Sequence, residues 1–222
     1  MAINYKLKKR YKKKFDNVLL LDLIESKTYL GSPKFSWDPD VKHSLSGVRN
    51  NFCIIDTTKT MSDLKLALKV VSKLSKKKNR ILFVGFPKGQ VSVLKSFYKR
   101  QNHFYTKDSF WVNGLLTNGM NFFSYKTNFL KNLKNKSEKE KTFFFQRFEG
   151  VLELNKKPDL IFIYNHSKNI EAFNEALTLS IPVVSFLSTE NNSKLVDYPV
   201  LGNFNSQKSG ELFSSLIMRC LK

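Results

Sequence analysis

The chain has 222 residues with 38 Lys and Arg against 18 Asp and Glu, a net charge of +20. That length allows one large domain or one domain with an insertion. No apolar run approaches the roughly 20 residues of a membrane helix, and Cys53 and Cys220 are too few for a disulfide framework and lack metal-ligand spacing. The charge is uneven: residues 1–149 hold 31 basic against 11 acidic residues, and residues 150–222 hold 7 of each. From Lys65 to Lys107 there are twelve basic residues and no acid, and the first fourteen residues add seven more basic ones, again with no acid. So one-sided a field opposes compaction unless a polyanion neutralises it, and nucleic acid is the leading polyanion. An anionic membrane fits less well, because no basic amphipathic helix with a Trp/Leu face stands out.

In chain order, residues 1–14 form a basic arm, read as retained rather than cleaved because it is Lys-rich instead of Arg- and Ser-rich. Residues 15–30 ("FDNVLLLDLIESKTYL") carry helical periodicity. Residues 31–40 form a loop broken by Gly31, Pro33 and Pro39. "FCII" (52–55) is a buried strand. Thr60 to Lys77 is a helix, with Thr60 as N-cap, Asp63 completing a capping-box pattern, an apolar face of Leu64, Leu68, Val71 and Leu74, and a basic opposite face. "RILFVGF" (80–86) is a strand, 88–101 a helix, and 103–112 one or two short strands. Residues 114–150 are helical, with a polar middle. Strand 158–165, helix 168–180, strand 181–187 and helix 205–222 complete the chain. Alternating helices and near-continuous apolar strands indicate an α/β fold with a parallel sheet covered on both faces. The segment about 119–150 breaks the alternation and reads as an inserted helical hairpin within a single domain, 15–222.

Few residues look catalytic. "GFPKGQVS" (85–92) sits between a strand and a helix but lacks P-loop and G-x-G-x-x-G spacing, so it reads as a turn whose Lys88 and helix N-terminus meet a phosphate. Asp56 ends a strand, as ligand-site carboxylates do, yet fits better as a turn residue accepting backbone N–H bonds. His43, His103 and His166 are isolated, with no zinc pattern, and Cys53 reads as a small core residue. Trp37 and Trp111 lie in loop contexts and could stack on a base, though core packing is the commoner fate of such rings. Composition adds that 32 Lys against 6 Arg, with 20 Phe, 20 Asn and only 4 Ala, suits an AT-rich gene such as an organelle's.

Seven motifs in order then resemble one family. "LG" (30–31) stands in the place of an H-F-G, and "WDP" (37–39) resembles W-N-P. "GVRNNFCIIDTTKT" (47–60) resembles G-x-R-N-x-x-x-I-I-D-x-x-K-T, and "ILFVGFPK" (81–88) resembles I-L-F-V-G-T-K-K. "FWVNGLLTN" (110–118) resembles R-W-L-G-G-x-L-T-N, and "KPDLIFIYN" (157–165) resembles L-P-D-x-x-x-V-x-D. "SIPVVSFLSTENN…VDYPVLGN" (180–203) resembles G-I-P-V-V-x-I-x-D-T-N…V-D-Y-P-I-P-G-N. The order is that of the small-subunit ribosomal protein S-two family, in its bacterial or organellar form.

The resemblance implies a Rossmann- or flavodoxin-like parallel sheet sandwiched between helices and carrying a coiled-coil projection, here shortened. It implies a structural role in the small ribosomal subunit without catalysis or cofactor: binding rRNA between head and body, beside neighbouring ribosomal proteins and the mRNA start region. Two family carboxylates are missing, since Ser188-Thr189-Glu190 replaces Asp-Thr-Asn and Asn165 replaces Asp. The drift and the composition favour a mitochondrial gene over a plastid one. The candidate RNA contacts are the arm (Lys6, Lys8, Lys9, Arg10, Lys12, Lys13, Lys14), Arg49, the cluster Lys76, Lys77, Lys78 and Arg80, then Lys88, Trp111 and Asn113. An RNA-modifying α/β enzyme such as a methyltransferase is the alternative, and it lacks a Gly-rich cofactor loop.

Overall fold

The computed structural model describes residues 16–86, 95, 103–107, 111–204 and 206–221. The arm, Lys88 and most of the expected helix 88–101 lie outside the described residues. Among the described residues, eight strands fall into two sheets. A parallel sheet contains β4 (Ile81–Phe86), β5 (His103–Lys107), β6 (Leu160–Ile163), β7 (Val183–Leu187) and β8 (Tyr198–Leu201), in the order β5-β4-β6-β7-β8. Counted within the sheet, this is the 2-1-3-4-5 order of flavodoxin-like folds. A small antiparallel sheet has the order β1-β3-β2, from β1 (Leu30–Pro33), β2 (Leu45–Arg49) and β3 (Phe52–Ile55).

The helices are α1 (16–25), α2 (Thr57–Lys76), α3 (Gly119–Lys131), α4 (Glu138–Phe148), α5 (Ile170–Thr178) and α6 (Gln207–Leu221). Alternation along β4 assigns them to two layers. Ile81 and Phe83 point to one face, against Leu19 and Leu23 of α1, Leu64, Ala67 and Val71 of α2, and Phe213 and Ile217 of α6. Leu82 and Val84 point to the other, against Ala172, Phe173 and Ala176 of α5 and, further out, Phe129, Phe144 and Phe148 of α3 and α4. Gly85, at φ +76, interrupts the alternation and returns Phe86 to the first face. There the rings of Phe83, Phe86, Phe162, Tyr164, Phe186, Phe204 and Phe213 form a continuous aromatic layer, with Phe186 stacked on Phe204 at 4.3 Å.

The α/β fold with its parallel sheet is as expected, with five local corrections. "FCII" belongs to the antiparallel sheet: Cys53 and Ile55 are buried, while Phe52 on the other face is 48% exposed. β1 lies partly in the expected loop, and β8 was not foreseen because "YPVL" is short and contains Pro199. The first helix ends at 25 instead of 30. The N-cap of α2 is Asp56, whose carboxylate accepts from the N–H groups of Thr58 (2.9 Å) and Lys59 (3.4 Å), as its reading as a turn residue requires. Thr60 lies inside the helix and is buried, its hydroxyl donating to Leu201 O at 2.8 Å.

Three helices end in Schellman motifs without glycine. For α1, the N–H of Lys27 bonds Ile24 O and that of Thr28 bonds Leu23 O, with Lys27 at φ 57. For α2, Lys78 bonds Ser75 O and Asn79 bonds Leu74 O, with Lys78 at φ 58; for α5, Ser180 and Ile181 do the same, with Ser180 at φ 54. Such left-handed positions ordinarily favour glycine.

One buried polar pair lies at the sheet edge. His103 is 2% exposed, with Nε2 3.0 Å from the Ser75 hydroxyl and no hydrogen-bond partner for Nδ1. Burial pushes its pKa down to about 4, so the folded chain holds a neutral imidazole. Below about pH 6.5 the unfolded chain takes up a proton that the folded chain refuses, so stability falls between pH 6.5 and 4. Unfolding in urea is expected to show roughly 2 kcal/mol lost between pH 7 and 5 from this group. His103→Phe should flatten the profile in part, leaving the contribution of His166, which burial also pushes down.

Candidate nucleic-acid interface

α2 carries the most one-sided charge. Its inner face packs on the sheet, so its lysines are turned outward. Lys69, Lys73, Lys76, Lys77 and Lys78 are exposed, and none has a carboxylate partner among the described residues. Lys65 is paired with Asp16, and the Lys59 ammonium reaches His43 O at 3.4 Å. The Schellman cap fixes the backbone through Lys77, Lys78 and Asn79, and the cations there also suit the negative end of the helix dipole. Lys78 pays for its place with a left-handed backbone.

The other expected contacts are scattered. Arg80 continues the lysine cluster in sequence, but its N–H donates to Asp159 Oδ2 at 2.8 Å and its Nε lies 3.7 Å from the same oxygen. Arg49 is exposed, at the end of β2, where a two-residue turn leads into β3. The lysine cluster lies at the C-terminal end of the 20-residue α2, about 30 Å of helix away from its N-terminus, which β3 leads into. Trp111 is 9% exposed and its indole N–H donates to Glu175 Oε1 at 2.9 Å, so it is a core ring and not an outward stacking surface. Trp37 likewise packs against the second core face. Asn113 is exposed on the loop that Trp111 anchors.

Glu175 organises that loop. It is buried on α5, and its carboxylate accepts from Trp111 Nε1, from the N–H groups of Gly114 (2.8 Å), Leu116 (2.9 Å) and Thr117 (3.1 Å), and from the Thr117 hydroxyl. Lys126 plays the complementary part on α3: also buried, it donates to Leu152 O at 2.7 Å and Asn155 Oδ1 at 3.0 Å, and burial lowers its pKa. Sequence reading passed over both. The signal was a charge in an apolar stripe, Ala172-Glu175-Leu179 for one and Phe122-Lys126-Phe129 for the other.

At the C-terminal ends of β7 and β8, a cleft of about 680 Å³ opens beneath the antiparallel sheet. Thr189 joins the two sheets there: its hydroxyl accepts from Ser32 N–H at 2.8 Å and its carbonyl from Asp38 N–H at 2.8 Å. A Cβ on Gly31 would lie 2.8 Å from Thr189 Cγ2, so this close approach needs glycine. At the β4/β6 switch point, where flavodoxin-like folds take ligands, the Asn169 side chain fills the space: a Cβ on Gly85 would lie 2.3 Å from its Nδ2.

The fold and its strand ends define a flavodoxin-like α/β protein whose switch point is filled by its own side chain and whose charge is carried by a helix surface. The family described as "Ribosomal protein S2" matches residues 23–222, and the chain belongs to that family. It is 29% identical over 211 residues to the small ribosomal subunit protein uS2 of Rhizobium etli, covering 89% of this chain and 82% of that one. Similarity to the uS2 of Koribacter versatilis is 30% over 217 residues (90% and 71%), and to that of Acinetobacter baylyi 28% over 215 residues (90% and 86%). This is a structural family, not a family of enzymes, and the methyltransferase alternative is set aside.

Two substitutions test the local arguments. Lys78→Gly should raise stability by about 1 kcal/mol, because glycine adopts the left-handed cap without a side-chain clash; an unchanged urea midpoint would contradict the strain. Glu175→Gln keeps the shape but turns an amide N–H toward backbone donors. It should cost on the order of 2–3 kcal/mol, whereas a change within about 0.5 kcal/mol, the usual surface range, would show that the carboxylate does not hold the loop.

Proposed function

We propose that this chain is a structural constituent of the small ribosomal subunit that binds small-subunit rRNA through its basic surfaces and supports translation in a mitochondrion. The observation that carries the RNA reading is the outer face of α2, where five exposed lysines from Lys69 to Lys78 have no carboxylate partner among the described residues. Each neutralises a phosphate most effectively where released counterions supply the driving force. The arm residues Lys6 to Lys14 and Lys88, together with Arg49 and Asn113, extend the candidate contacts, with residues 1–14 acting as an arm on a single domain, 15–222. Neighbouring ribosomal proteins are the partners suited to α3 and α4, where Met120 is 84% and Phe143 58% exposed. A position beside the mRNA start region follows from the same assignment. No helix among the described residues is long and apolar enough to cross a membrane. The Lys- and Phe-rich composition supports the mitochondrial matrix over a plastid; the relatives named above are bacterial.

The chain is expected to co-sediment with the small subunit at moderate salt and to localise to the mitochondrial matrix on fractionation. Replacing Lys76, Lys77 and Lys78 together with Gln should reduce the log–log salt slope of rRNA binding by roughly 2 to 3 units. An unchanged slope would move the RNA surface away from α2.

A further inference from the structure

We infer that the cleft between the two sheets holds one unstacked nucleotide of RNA. The base lies against Phe52, and the phosphate is met by Arg49. The inference rests on the rRNA-binding reading and narrows it to a second contact point, on the β2–β3 hairpin and apart from the lysine cluster that ends α2.

The cleft is a product of local structure. Asn50 (φ 47) and Asn51 (φ 66) form the left-handed pair of a tight two-residue hairpin. The turn puts Arg49 directly opposite Phe52, so both side chains lie on one face of the antiparallel sheet. The neighbouring residues Cys53 and Ile55 are spent on the core, which leaves the Phe52 face open to the cleft. The hairpin is pinned by the Lys34 N–H, which donates to Asn51 O at 2.8 Å. Across the cleft stand Ser188 and Asn203, just beyond the C-terminal ends of β7 and β8, with Phe204 at the base. That is the end of a parallel sheet at which α/β folds take ligands. At about 680 Å³ the space suits a nucleotide.

Chemistry selects the occupant. Arg49 and Lys34 have no carboxylate partner among the described residues, and the Asn50 amide has no hydrogen-bond partner there. A half-exposed aromatic ring beside an open amide and an uncompensated guanidinium is the set that takes a base by stacking and edge hydrogen bonds and its phosphate by charge. An acidic peptide would use the cations and leave the ring and the amide without complementary groups.

The test uses the full chain and three probes: adenosine 5′-monophosphate, uridine 5′-monophosphate and ribose 5-phosphate, titrated calorimetrically at moderate salt. The two nucleotides are expected to bind saturably at one site, about tenfold more tightly than ribose 5-phosphate. Phe52→Ala should erase that difference, and Arg49→Gln should weaken all three probes. Both side chains are exposed, so an unchanged circular dichroism spectrum is expected to confirm the fold. Equal binding of all three probes, untouched by Phe52→Ala, would overturn the proposal and leave only general anion attraction. So would a photo-reactive residue placed at position 52 that crosslinks, in the assembled subunit, to protein and not to RNA. Failure of the site alone leaves co-sedimentation with the subunit intact; loss of co-sedimentation by the unaltered chain is failure of the rRNA reading itself.

Discussion

The constraint on which the rest of this structure depends is that the parallel sheet is buried on both faces. Every residue of β4, β6 and β7 is inaccessible or nearly so, so no charge can be placed on the sheet. Polar function has to move to strand ends, loops and the outer surfaces of the covering helices. α2 shows the result: Leu64, Ala67 and Val71 are committed inward, and its lysines from Lys69 onward have only solvent or a partner to meet.

The few acids mostly serve local structure, which is why the basic surface stays uncompensated. Asp56 caps α2, with the Thr58 hydroxyl bond chief among the causes that hold its carboxyl below the usual range. Asp159 ties Arg80 to the start of the sheet, and Asp197 accepts from the Val183 N–H at 2.9 Å at the start of β7. Glu175 holds the 111–118 loop, and Asp40 takes the Lys194 ammonium at 2.6 Å. A carboxylate already saturated by backbone N–H donors gains little by turning to a distant surface lysine, where an exposed pair is worth at most about 1 kcal/mol.

Much of the fold was legible because burial on both faces writes itself as apolar runs: "ILFVGF", "LIFI" and "VVSFL" are strands on composition alone. What escaped notice has physical reasons. β8 is short and carries a proline, tolerable because it is the edge strand. The end of α1 was placed five residues late because Lys27 occupies the left-handed cap where glycine is the usual marker, and a Schellman motif built on lysine has no sequence signature. "FCII" looked like a parallel strand because its four residues are all apolar; only Phe52, left exposed, shows that one face of that strand is not covered. Glu175 and Lys126 were hidden for the opposite reason, as charges inside helices taken to be amphipathic. Of the candidate contacts, the exposed lysines of α2 and Arg49 could be read from charge, whereas the burial of Trp111 depended on the position of Glu175, about sixty residues away in the chain.

The enzyme-like outline has the same origin. A flavodoxin-like sheet brings strand ends, a switch point and a cleft with it, whether or not chemistry is done there. In this chain the switch point is closed by Asn169 against Gly85, and the carboxylates that would stand at two strand ends are Asn165 and Ser188. Each change removes negative charge or open volume from the end of the sheet. The cleft that remains open is displaced from the switch point to the junction with the antiparallel sheet. Its charged wall is supplied by Arg49, on a hairpin outside the doubly wound fold, so the hairpin and not the sheet sets what that end of the molecule can bind.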